Sequence, residues 1–95
     1  MYKHLNEVQA EFDFHNRGPL RHEVILTLAD DFINECMENN FNTISFIVGQ
    51  GIHSPKGQVI KPLIADFLKN HPAVKSFSEG KFAQGGSGVF IVKLN

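Results

Sequence analysis

The sequence predicts a two-layer α/β (α+β) sandwich in the order βαβαββ, with a four-stranded mixed sheet and two helices on one face. Three observations predict it. Apolar residues recur at three-and-four spacing in two segments, one from Leu20 to Met37 and one from Ile60 to Leu68. Four short runs rich in β-branched and aromatic residues, at 8–15, 43–48, 74–79 and 89–94, precede, separate and follow those segments. Right-handed strand–helix–strand crossovers then put both helices on the same side of the sheet.

Ninety-five residues suit one domain over 1–95, with 1–7 as a polar, irregular lead. Hydrophobic content of 42% and nine phenylalanines supply a core. The single cysteine, Cys36, has no internal partner and falls on an apolar helical stripe, which makes it core filler. No apolar run approaches the ~20 residues of a bilayer span, and the start lacks the apolar block of a signal peptide. A cytoplasmic monomer with no membrane partner is expected. With a net charge of -1, nucleic acid would need a local basic patch to bind.

In the first strand, Val8, Ala10, Phe12 and Phe14 alternate with Gln9, Glu11, Asp13 and His15. The alternation sends Asp13 and His15 to one face together. Asn16-Arg17-Gly18-Pro19 is turn chemistry. The first helix follows, with His22 solvent-facing in its first turn, and stops at Asn39-Asn40. The second strand breaks on Gly49-Gln50-Gly51. Two starts compete for the second helix. Ser54 with Pro55 is a good local signal but leaves Pro62 inside, at ~3 kcal/mol. A start near 58–60 puts Pro62 in the first turn and is preferred, leaving 49–57 as a loop. His71-Pro72 caps the far end, and 80–88 forms a glycine-rich loop. The last strand is apolar on both faces and is therefore interior to the sheet.

If the first two strands run parallel, their C-terminal ends gather Asp13, His15, Arg17, the Gly49-Gln50-Gly51 backbone, His53, Ser54, Lys56 and Lys61. Amides near a helix N-terminus suit phosphate, histidine suits proton transfer, and cations offset developing charge. These are parts for gripping or cleaving a phosphodiester. The glycine spacing is neither that of a dinucleotide site nor of a Walker loop. No Cys/His set has zinc spacing, and no serine or cysteine triad is in view. Asp13 with His15 holding Mg²⁺ or Mn²⁺ stays open as a second use of the pair.

Taken jointly, Phe12-Asp13-Phe14-His15, Gly49-Gln50-Gly51-Ile52-His53-Ser54, Ile60-Lys61-Pro62, His71-Pro72 and Gly85-Gly86-Ser87-Gly88 resemble a Smr (small MutS-related) domain in order and spacing, from Glu11 to Leu94. The resemblance implies a fold similar to the C-terminal domain of bacterial translation initiation factor three. It also implies endonuclease action on DNA or RNA, with ribosome association in some members. It places the functional residues at Asp13 and His15, and at Gly49 and Gly51, with Gly85 and Gly86 in the third motif. Val48 stands where many members carry histidine, and His53 is the replacement. The expected catalytic set is Asp13, His15 and His53. The expected phosphate contacts are Arg17, Gly49, Gln50, Gly51, Ser54, Lys56, Lys61, Gly85 and Gly86. The rival reading is a non-catalytic module that binds nucleic acid or a ribosomal surface through the same edge.

Overall fold

The computed structural model describes residues 8–14, 20–49, 55–80 and 88–95, with 55–59 described as backbone only. Its elements run β1 (Ala10–Asp13), α1 (His22–Glu38), β2 (Thr43–Ile47), α2 (Pro55–Asn70), β3 (Val74–Glu79) and β4 (Val89–Leu94), the predicted βαβαββ order. The sheet order is β1-β2-β4-β3. β1 pairs with β2 in parallel, and β4 runs antiparallel to both β2 and β3. Thus β1, β2 and β3 share one direction, and β4 is interior, as its two apolar faces require.

One face of the sheet is covered by the helices. Phe14, Ile44, Phe46, Val48, Phe90, Val92 and Leu94 of the sheet side meet Ile25, Ala29, Ile33 and Cys36 of α1 and Ile60, Ile64 and Leu68 of α2 in one cluster. Period two on the strands and period 3.6 on the helices bring these residues together. An aromatic group sits at its centre: Phe46 lies 6.0 Å from Phe14, 5.3 Å from Phe32 and 6.4 Å from Phe12, centroid to centroid. Cys36 is buried, as expected. Burial pushes its thiol up to about 11, and the neighbouring Glu35 carboxylate adds to the rise.

Some boundaries differ from expectation. β1 is shorter than 8–15, although Gln9 N–H donates to Thr43 O at 2.8 Å and Phe14 N–H to Ile47 O at 2.8 Å, extending the ladder past both ends. α2 begins at Pro55 rather than near 58–60, so Pro62 is inside the helix. The local signal at Pro55 prevails because proline is preorganised for the first helical position. Pro62 is exposed, so its missing N–H falls away from the buried Ile60, Ile64 and Leu68 stripe. That stripe gains ~1.5–3 kcal/mol per side chain and outweighs the lost bond. α1 ends as predicted: Asn40 takes φ 62°, and Asn39 Nδ2 donates to Glu35 O at 2.9 Å.

One tie between the helices carries no signal in the sequence. His71, read as a cap, accepts the Ala73 N–H at Nδ1 (3.0 Å), which leaves the ring proton on Nε2, 2.8 Å from Asp30 Oδ1. The end of α2 is thereby pinned to the middle of α1, 41 residues away in sequence.

Candidate functional site

The site is built at the edge where the parallel strands end. Asp13 is the last residue of β1 and sits opposite Ile47 in the register. Cross-strand partners project to the same face: Ser45 Oγ donates to Glu11 Oε2 at 3.1 Å, and the alternate pair Phe12 and Phe46 packs into the core on the other face. Glu11 and Asp13 therefore project from the outer face, away from the helices, while Phe12 packs inward against Phe14 and Phe32.

Just beyond Ile47 the chain enters the predicted glycine turn. Gly49 has φ 75°, a region that costs any residue with a Cβ ~1–2 kcal/mol. The turn is fastened to the start of β4: Val48 N–H and Gly49 N–H both donate to the Gly88 carbonyl, at 2.8 and 3.1 Å. This corrects one expectation. The Gly49 amide is engaged within the protein, so its part is to bend the chain. Val48 is buried in the core cluster, and a histidine at this position would start from the core side of the turn.

Both helices point their N-terminal ends toward this edge. Each is followed by a short connection, residues 39–42 after α1 and 71–73 after α2, that leads straight into the start of the next strand. Their C-termini therefore lie at the opposite end. Helices of 17 and 16 residues return ~24 Å from there. Positive dipole ends thus lie on the motif side.

The sequence puts Lys61 among the phosphate contacts. Its Nζ is instead 2.9 Å from Glu79 Oε2, with the lysine side chain 23% exposed, so it ties α2 to the end of β3. His15, Arg17, Gln50, Gly51, His53, Ser54, Gly85 and Gly86 lie outside the described residues, and Lys56 is described as helix backbone only. Of the expected catalytic set, Asp13 is described. His22 is exposed, as expected. Among the described residues, no three His, Cys, Asp or Glu groups gather to hold a metal ion. Nor is any described helix long and apolar enough to cross a membrane.

The outer face holds further polar contacts away from the motifs. Gln9 Oε1 accepts both Asn42 N–H (2.8 Å) and Thr43 N–H (3.1 Å), and Lys93 Nζ donates to Thr43 Oγ1 at 3.3 Å. The period-two alternation puts Gln9, Glu11 and Asp13 in one row, and the partners of Gln9 and Glu11 on β2 come from the register with that strand.

The model of the Smr domain family matches residues 13–95 of the chain. The chain belongs to the Smr domain family. It is 39% identical over 74 residues, 78% of its length, to a protein named endonuclease MutS2 from Helicobacter pylori (strain ATCC 700392 / 26695). It is 31% identical over 90 residues, 95% of its length, to the endonuclease MutS2 of Caldicellulosiruptor saccharolyticus. Those matches span 9% and 11% of the two relatives, so the chain corresponds to about a tenth of each. Among solved structures, the Smr domain of Thermus thermophilus MutS2 superposes with a TM-score of 0.76 at 23% identity, covering 90% of this chain and 98% of that one. YdaL, a stand-alone small MutS-related protein from Escherichia coli, superposes at 0.78 with 16% identity, covering 99% and 76%. Those two likenesses establish the fold, a four-stranded mixed sheet with two helices.

Proposed function

We propose that this Smr domain is an endonuclease that cleaves phosphodiester bonds in RNA or DNA at the C-terminal edge of β1 and β2. The observation that carries the reading is a juxtaposition. Asp13 ends β1 directly beside Ile47, two residues before the left-handed Gly49, in a domain whose curated relatives bear the name endonuclease.

In the RNA version, His15 takes the proton of the 2′-hydroxyl as it attacks the adjacent phosphorus, and Asp13 fixes the tautomer of that imidazole. The oxyanion that develops is held by the amides of Gln50 and Gly51, by Lys56 and by Arg17. Ser54, Gly85 and Gly86 complete the contacts to the backbone. His53 protonates the departing 5′-oxygen. Gly49 bends the chain and leaves its amide on Gly88. Asp13 and His15 holding Mg²⁺ or Mn²⁺ is the second use of the same pair, and it serves DNA as well as RNA.

The non-catalytic alternative keeps the same edge as a binding surface for nucleic acid or the ribosome. It draws support from Val48, whose buried apolar side chain stands where many members of the family carry an imidazole.

Labelled single-stranded RNA and supercoiled plasmid, each incubated with the domain with and without EDTA, separate the readings. Cleavage lost in His15→Ala and Asp13→Asn supports the nuclease. Equal cleavage by wild type and both variants removes the proposed catalyst. Binding without turnover selects the alternative.

A further inference from the structure

Charge is distributed very unevenly over the two layers. α1 carries Glu23, Asp30, Asp31, Glu35 and Glu38 and has no lysine or arginine. It thus holds five of the ten carboxylates of the chain on the helical side. On the sheet side, a groove of about 710 Å³ is lined by Gln9, Asn42, Thr43, Lys75, Ser76, Lys93 and Leu94. Among the described residues its lining has two cations, four uncharged polar groups, one leucine and no carboxylate. That volume is in the ~300–1,000 Å³ range of clefts that take small ligands or one residue of a polymer.

Two features of the chain build this groove. Thr43 and Lys93 are cross-strand partners on the outer face, and Lys93 lies on the interior strand β4. A lysine on an edge strand is an ordinary device against edge-to-edge pairing, but Lys93 has no such duty. The second feature is a break in register in β3. Val74 pairs with Leu94 and Ser76 with Lys93, which leaves Lys75 as the extra residue of a bulge. Unbroken pairing would set Lys75 directly opposite Lys93, an unfavourable match of like charges. The bulge lets Lys75 and Ser76 both line the groove.

We propose that the Lys75–Lys93 groove is a second contact for the phosphodiester backbone of a single-stranded polynucleotide. It rests on the reading of the domain as a nucleic-acid enzyme or binder. The groove and Asp13 are on one face. Lys93 and Asp13 are two strands and four residues apart in register, ~16 Å on sheet spacings. A strand running from the groove to the end of β1 passes beside the exposed Glu11 and spans that distance with a few nucleotides, so the groove holds the chain while the edge acts on it. The acidic α1 repels the same polyanion, whereas α2 carries Lys56, Lys61 and Lys69 against Asp66, so the repulsion comes from the α1 side of the domain.

The test measures binding of a fluorescent 15-nucleotide RNA, and of a DNA of matching sequence, across a salt series. Each phosphate neutralised in a single strand adds ~0.7 to the slope of log affinity against log salt. Lys75→Gln/Lys93→Gln is expected to lower the slope by about 1.4 and to weaken binding on the order of tenfold near 0.15 M salt. Lys69→Gln, an exposed lysine in the last turn of α2, controls for loss of charge alone and is expected to leave the slope unchanged. Lys75→Arg/Lys93→Arg is expected to keep the wild-type slope, and all variants should melt as wild type does. An unchanged slope in the double glutamine variant overturns the groove. Cleavage lost in Asp13→Asn alongside that unchanged slope sinks the groove and leaves the nuclease reading standing. Wild-type domain that binds neither polymer at low salt sinks both.

Discussion

The two faces of the sheet carry different kinds of information. On the covered face, neighbouring positions satisfy each other by shape: phenylalanines and aliphatic residues interdigitate, four of the rings forming one group around the fully buried Phe46. On the outer face, positions are matched by hydrogen bonds and charge, as in Glu11 with Ser45, Thr43 with Lys93, and Gln9 with two amides. The first face fixes that the chain folds. Thr43 and Ser45 are themselves buried, and the second face leaves Gln9, Glu11 and Lys93 exposed, where a substrate can use them. A substitution on the covered face should therefore cost stability, and one on the outer face should cost function first.

The largest expected effect is on the covered side. Phe46→Ala removes a ring in contact with Phe12, Phe14 and Phe32 and should destabilise by ~3–5 kcal/mol, read by urea unfolding. A loss under ~1 kcal/mol would mean that the aromatic group does not hold the layers together. Next is His71→Ala, which strands the Ala73 N–H and leaves Asp30 only the longer bond from Asn34 Nδ2, for ~1–3 kcal/mol. This polar pair belongs to the helical layer, and its effect should appear in stability with nucleic-acid affinity unchanged. The smallest is a pH effect on Cys36. Its pKa is raised on folding, so the stabilising difference is complete below the ordinary thiol range and is lost as pH rises toward about 11. Over that interval wild type should lose more stability than Cys36→Ala does, and its thiol should react with a disulfide reagent only after unfolding.

Much of this division was legible in the chain. The spacing of Ile25, Ala29, Ile33 and Cys36 marks the buried stripe of α1, and the two-sided apolar run of β4 marks an interior strand. Asp13 and the Gly49 turn were placed by alternation and by glycine. What escaped depends on contacts between distant residues or on competition between local signals. Nothing near His71 announces Asp30, and nothing near Lys61 announces Glu79. The Gly49 amide looked available because its partner, the Gly88 carbonyl, arrives from another strand. At Pro55 and Pro62 two proline rules conflicted, and exposure of the second ring, invisible in sequence, decided the helix start. The bulge at Lys75 likewise follows from pairing with β4 rather than from β3 itself.

The most direct measurement takes Asp13→Asn and reads three quantities on one sample: melting temperature, RNA affinity and cleavage rate. Because Asp13 is half-buried on the outer face at the end of β1, the expected result is a cooperative melt within a few degrees of wild type, affinity within a few-fold of wild type, and a cleavage rate lower by ~10²–10⁴-fold. Wild-type cleavage by this variant would contradict a chemical role for the strand end. A rate that falls only in step with a lost fold would return Asp13 to structure.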